Sequence, residues 1–232
     1  MFSTDYIVAS SKPWHREAFD RIRQNEPGRW IYVATREELD RAVKANAPRY
    51  IFFLHWNWLV CEEIWFNHEC VCFHMTDVPY GRGGSPLQNL IAVGVSETKV
   101  TALRMVKEMD AGPVYAQRPM SLEGRAEEIY LRAGALSWEM IRLIIESKPV
   151  PVPQHGEVTR FTRRKPEQSA LPTEGSLTSI YDRIRMLDAP TYPLAFVDHG
   201  DFRLEFSHAK IQDGEIHARV VLRRARTDSD KT

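Results

Sequence analysis

Cysteine is scarce in this chain, with three thiols, Cys61, Cys70 and Cys72, among 232 residues. They crowd into one short stretch, and no pair has the Cys-x-x-Cys spacing of zinc or redox sites. Free thiols in a reducing, cytoplasmic setting, with no metal, are the expectation. An excess of charge of one sign is also missing: Lys plus Arg number 31 and Asp plus Glu number 31, a formal net charge of zero. Neutralising a phosphate backbone takes surplus or clustered cations, so no nucleic-acid partner is expected. No run of about 18 apolar residues occurs, which argues against a spanning helix and a membrane partner. The opening MFSTDYIVAS lacks the basic and long apolar stretches of an export signal. What is present is globular stock, 43% hydrophobic and 27% charged, enough for one or two domains.

Apolar runs alternate with helical spacing along the first third. Strands are expected over residues 5–10, 30–33, 50–54 and 69–74, and helices over 17–24 and 60–66. Thr35 and Glu38 form a capping box ahead of Leu39, Ala42, Val43 and Ala47, whose spacing predicts a third helix ending at Pro48. The uniformly apolar Tyr50 to Leu54 suits a central parallel strand buried on both faces. This alternation predicts an α/β sheet with crossover helices. Further on, a Gly/Pro-rich loop (79–86), a helix (87–92), strands (98–105 and 114–118) and a long amphipathic helix (126–146) follow. Three prolines between 149 and 153 predict an extended connector, and residues 154–175 read as loop. A helix (177–187) and three alternating segments (194–197, 202–209 and 215–222) predict a small α+β appendage, with a frayed tail after it. The expected domains are 1–150, a connector with a closing strand at 151–175, and a small C-terminal domain at 176–232.

In sheets of this kind ligands bind beyond the carboxyl ends of strands, where His55 and His74 fall. His74 runs into the glycine loop, and thirty-six residues later Asp110 opens a tight Asp-Ala-Gly-Pro turn. An imidazole met by a carboxylate has its tautomer and charge fixed, which suits acid–base work. Spacing alone leaves this open.

The pattern His74-x-Thr76-x-x-Pro79-x-x-Arg82-Gly83-x-x-Pro86, followed by Met109-Asp110-x-Gly112-Pro113, resembles the signature of the 10-formyltetrahydrofolate-dependent formyltransferases. The similarity runs over about residues 48–165, with Gly156-Glu157-Val158-Thr159 and Arg163-Arg164 resembling the family's closing strand. The resemblance implies a Rossmann-like, mostly parallel sheet and 10-formyltetrahydrofolate as cosubstrate. It implies direct attack of a neutral primary amine on the formyl carbon through a tetrahedral intermediate, with a rate that falls as pH falls. His74 would steady the oxyanion and Asp110 would hold the imidazolium and move the amine proton. Where the family has Asn-x-His this chain has Cys72-Phe73-His74, and a thiol donates poorly. A missing oxyanion donor costs about 2.7–4 kcal/mol, so Gln88, Asn89 or Asn57 is expected to replace it. A Cys72 nucleophile is the less favoured alternative.

By the same resemblance the pterin would lie against His55, Trp56, Asn57, Trp58 and Leu59 and against Val106, Lys107, Glu108 and Met109. Thr76, Arg82, Gly83 and Asn89 would face the acceptor, although Arg82 could equally be a brace for its own loop. The stretch from Ile180 to Pro193 is similar to the appendage of sugar N-formyltransferases, with Tyr181, Arg185 and Tyr192 as contacts. A nucleotide-linked amino sugar of the 4-amino-4,6-dideoxy type is therefore the expected acceptor, and a homodimer is left open. The alternatives are methionyl-tRNA, an aminoacyl or peptidyl amine, or a catalytically decayed binding module. The basic run Arg160 to Lys165 reads as a solvated strand edge.

Overall fold

A computed structural model describes residues 5–225. The expectation of a frayed tail concerns residues that lie largely outside this range. The described chain separates into two compact units, one of residues up to 83, 98–120 and 131–160, the other of 84–97, 121–130 and 161 onwards. These units cut across the expected division at 150 and 175.

The first unit is built on a six-stranded sheet. Its strands are β1 (Asp5–Ala9), β2 (Arg29–Val33), β3 (Tyr50–Phe53), β4 (Cys70–His74), then, after the short β5 (Arg82–Gly83), β6 (Glu97–Arg104) and β7 (Val114–Ser121), in the order β2-β1-β3-β4-β6-β7. The first four are mutually parallel and β6 turns antiparallel to β4. Every residue of β3 is buried, as its unbroken apolar run demands. The helices of this unit are α1 (Trp14–Ile22), α2 (Arg36–Ala45) and α3 (Glu62–Asn67), whereas α4 (Pro86–Ala92) belongs to the second unit and α5 (Ala126–Ser147) is divided between the two. One face of the sheet, with Ile7, Ala9, Ile51, Phe53 and Cys70, packs on Leu39 and Ala42 of α2 and Ile64 of α3. In α2 the Thr35 hydroxyl accepts the Glu38 amide, as expected, while the Glu38 carboxylate reaches the Ala34 amide. The sheet and its crossover helices are those the alternation predicted.

Three expectations need correction at their ends. α1 begins at Trp14, not Glu17, because Pro13 has helical dihedrals and serves as its cap. Residues 154–175 are not all loop: β8 (Arg160–Phe161) pairs with β5, and Pro166–Ser169 make one 3-10 turn. The segment expected over 194–197 runs further, since β9 spans Ala195–His199.

The second unit contains the three-stranded antiparallel sheet β9, β10 (Phe202–Gln212) and β11 (Glu215–Arg224), with α6 (Leu177–Arg185) on β10. A buried polar network closes it. Gln88 donates to the Tyr130 hydroxyl and the Met186 carbonyl, and Arg185 donates to the Leu122 and Gly124 carbonyls. No helix among the described residues is long and apolar enough to cross a membrane.

Candidate active site

Side chains alternate along β4, so Cys72 and His74 leave the sheet on one face. The hairpin between β6 and β7 folds over that face. Its tightness follows from Gly112, where a Cβ would meet the Arg104 carbonyl oxygen at 1.7 Å. Asp110 stands in this turn with φ 55, a left-handed conformation that non-glycine residues adopt at a cost. The turn brings Asp110 Oδ2 to 3.6 Å from His74 Nδ1, both side chains being largely buried. The other imidazole nitrogen, Nε2, lies 2.8 Å from the Gly81 carbonyl. A carbonyl only accepts, so Nε2 carries a proton and Nδ1 is the atom left to exchange one with Asp110. The Gly83 amide donates to Asp110 Oδ2 at 2.9 Å. The expected His–Asp pair is thus brought together in space.

Cys72 sits beside them. Burial pushes its thiol well above the usual range, and the Asp110 and Cys70 charges push it further. A thiol held protonated is a poor nucleophile, which counts against the covalent alternative at this site. Two of the three expected substitute amides are already occupied. Gln88 serves Tyr130 and Met186, Asn89 donates to the Gly84, Ser85 and Thr162 carbonyls, and Asn57 is exposed.

Trp56, Val60, Cys72 and Met105 pack on the same core cluster as an apolar wall, of which Cys72 stands beside the pair. Trp56 meets Trp58 edge-on at 4.8 Å, and the Trp56 indole N–H is buried with no acceptor among the described residues. Leu59, Val106 and Met109 are exposed apolar side chains on the two loops expected to hold a pterin. Such a wall suits a flat heterocycle with ring acceptors. His55 follows β3 with φ 50, its carbonyl accepting from the Ser11 hydroxyl at 2.7 Å and its Nδ1 lying 2.7 Å from His15 Nε2. Nothing in the sequence marked His15, since a lone histidine on a helix carries no local signal.

Several expected acceptor contacts have other occupations. The Arg82 guanidinium is buried and grips the Gln154 side-chain oxygen and Glu108. Glu108 is also met by Arg160, and Lys107 is exposed. Thr76 is fully buried against the Gly81 carbonyl, and Gly83 presents its amide to Asp110. In the second unit Arg185 is buried on two carbonyls, Tyr192 stacks on Tyr130 at 5.2 Å, and Tyr181 lies under the Arg185 guanidinium. A groove of about 410 Å³ lined by Arg49, Phe66, His68, Glu69 and Arg104 includes none of the expected site residues.

Comparison with known proteins decides the family. The structure of a methionyl-tRNA formyltransferase from Clostridium thermocellum superposes with a TM-score of 0.92 and is 41% identical, covering 96% of this chain and 100% of that one. The chain belongs to the formyltransferase family. A curated methionyl-tRNA formyltransferase of Sorangium cellulosum (strain So ce56) is 31% identical over 134 residues, 55% of this chain and 42% of that protein. The chain therefore spans less than half the length of that relative. A family model described as "Methionyl-tRNA formyltransferase, C-terminal domain" matches residues 166–223. A 4-N formyltransferase from Francisella tularensis shares the fold, at 13% identity and a TM-score of 0.68, covering 97% of this chain and 99% of that one.

These matches overturn the amino-sugar expectation. The tail read as a sugar-enzyme appendage falls inside the match to the methionyl-tRNA C-terminal model. The expected absence of a nucleic-acid partner loses its basis as well, since net charge averages over a surface and hides local clusters.

Proposed function

We propose that this formyltransferase moves the formyl group of 10-formyltetrahydrofolate onto the amine of methionyl-tRNA. The observation that carries this reading is the 41% identity to a methionyl-tRNA formyltransferase over nearly the whole of both chains, tail included. The donor, when bound, supplies an activated one-carbon acyl group. Trp56, Val60 and Met105 would receive its flat ring system, with Leu59, Val106 and Met109 at the rim.

The chain's own acid–base work falls to His74 and Asp110. At 3.6 Å their facing atoms are too far apart for a hydrogen bond, so the pair can address a third atom between them. Asp110 accepts the proton that the acceptor amine must shed. His74 Nδ1, protonated and steadied by that carboxylate, donates to the oxygen on which negative charge grows. Gly83 keeps one Asp110 oxygen oriented, and Gly81 keeps the ring in plane. Cys72 adds an apolar flank in place of a donor.

For the acceptor, exposed Arg163, Lys165, Arg219 and Arg224 supply cations in the second unit. Burial, and then the neighbouring Arg183 charge, hold Arg164 below its usual value. Guanidinium groups crowded in this way are relieved by a polyanion. The test is transfer of labelled formyl from 10-formyltetrahydrofolate to methionyl-tRNA, with a nucleotide-linked amino sugar as competitor. Formylation of the tRNA supports the assignment, and labelling of the sugar alone overturns it.

A further inference from the structure

The Gln154 side chain uses all of its hydrogen-bonding capacity on one spot. Its Oε1 accepts from Arg82 Nε at 3.1 Å and Nη2 at 2.8 Å, and its Nε2 donates to the Asp110 and Gly112 carbonyls, each at 2.8 Å. An amide has two acceptor lone pairs and two N–H donors, so none is left over. The orientation is fixed, because a flipped amide would turn its NH2 towards a guanidinium and its oxygen towards two carbonyls. Arg82 is followed by Gly83, whose amide holds the Asp110 carboxylate. A closed ring results: Asp110 carboxylate to Gly83, along the chain to Arg82, across to Gln154, and back to the Asp110 carbonyl. Asp110 is gripped by main chain and side chain at once, in a left-handed conformation that costs an aspartate more than a glycine.

We propose that Gln154 is the positioning residue that sets the separation of the Asp110 carboxylate from the His74 imidazole. It touches neither reacting partner and acts through Asp110. The inference rests on the roles proposed above for that pair. It also gives Arg82 a function: the buried guanidinium locks the amide in the one orientation that serves the turn.

Gln154→Glu tests this, since it keeps the length and the acceptor for Arg82 but replaces the two N–H donors with an oxygen facing two carbonyls. Crystal structures of both forms are expected to show Asp110 leaving the left-handed region and the carboxylate–imidazole distance lengthening. In methionyl-tRNA formylation the variant is expected to lose about 10²-fold in kcat, the scale of a misplacement near 1 Å, with KM for 10-formyltetrahydrofolate unchanged. In an Asp110→Asn background the same substitution should cost nothing further, because the group it positions is already gone. An unmoved Asp110, or a loss that adds in full to that of Asp110→Asn, overturns the proposal. Wild-type turnover in Asp110→Asn, or no transfer to methionyl-tRNA by the parent, overturns the catalytic reading instead, and the crystallographic distance alone then decides the role of Gln154. Should Gln154→Glu fail to fold, the shorter Gln154→Asn is read by the same two measurements.

Discussion

His15 is 1% exposed, and burial lowers its pKa from 6.5 to about 4. The unfolded chain therefore takes up a proton between those values that the folded chain refuses. Stability contributed by this site is complete above the unfolded value and is lost as pH falls towards about 4, by roughly 3 kcal/mol in total. Urea unfolding of the parent and of His15→Gln over that window checks it, and the difference between them should shrink with acid. The cysteines divide in the same manner. Cys61 is exposed, whereas burial pushes the Cys70 thiol up to about 12 and Cys72 well up too. Alkylation of the native protein near neutral pH, mapped by peptide mass, is expected at Cys61 with the other two protected. At the proposed catalytic pair, His74→Ala and Asp110→Ala are each expected to cut turnover by about 10²-fold or more with the fold intact by circular dichroism. Near-parental rates in either would remove its assigned role. His74 and Asp110 were legible because the motif around them is local. Gln154 was not, since a glutamine after a proline-rich connector looks like solvent-facing loop until its partners Arg82, Asp110 and Gly112 are assembled from two distant segments.

Elements followed the same rule of distance. The α2 cap was readable because Thr35 and Glu38 are three residues apart, and Thr35→Ala is expected to cost about 1 kcal/mol in thermal or urea unfolding. The β5–β8 pairing was legible only as the closing strand that the resemblance implied, because Arg82 and Thr159 are joined only when the chain closes. The hairpin from β6 to β7 depends on closeness of backbone. Gly112→Ala drives a methyl into the Arg104 carbonyl oxygen, so the turn must open. A destabilisation on the order of 3 kcal/mol, with transfer lost even where the protein stays folded, is the expected outcome by melting and assay. For Arg82 the sequence left two readings, a grip on substrate and a brace, and the contacts to Gln154 and Glu108 become visible only in three dimensions.

On the scale of the whole molecule, the parallel order around β3 followed from alternation, while the discontinuous second unit had no signature in composition. Acceptor choice was also illegible there, because zero net charge says nothing about where cations sit. If the acceptor is a tRNA, its KM should rise steeply with added salt while that of the donor hardly moves. Parallel salt titrations of the two constants would show it, and equal slopes would count against phosphate recognition. The polar network of the second unit bears on how the protein can be dissected. Ending the chain near residue 165 would leave the Gln88 amide without the Met186 carbonyl and the Leu122 and Gly124 carbonyls without Arg185. Segments from the middle of the sequence would then expose groups built for burial. Engineers wishing to exchange acceptor preference must therefore transplant three stretches together, because a single splice strands its own interior.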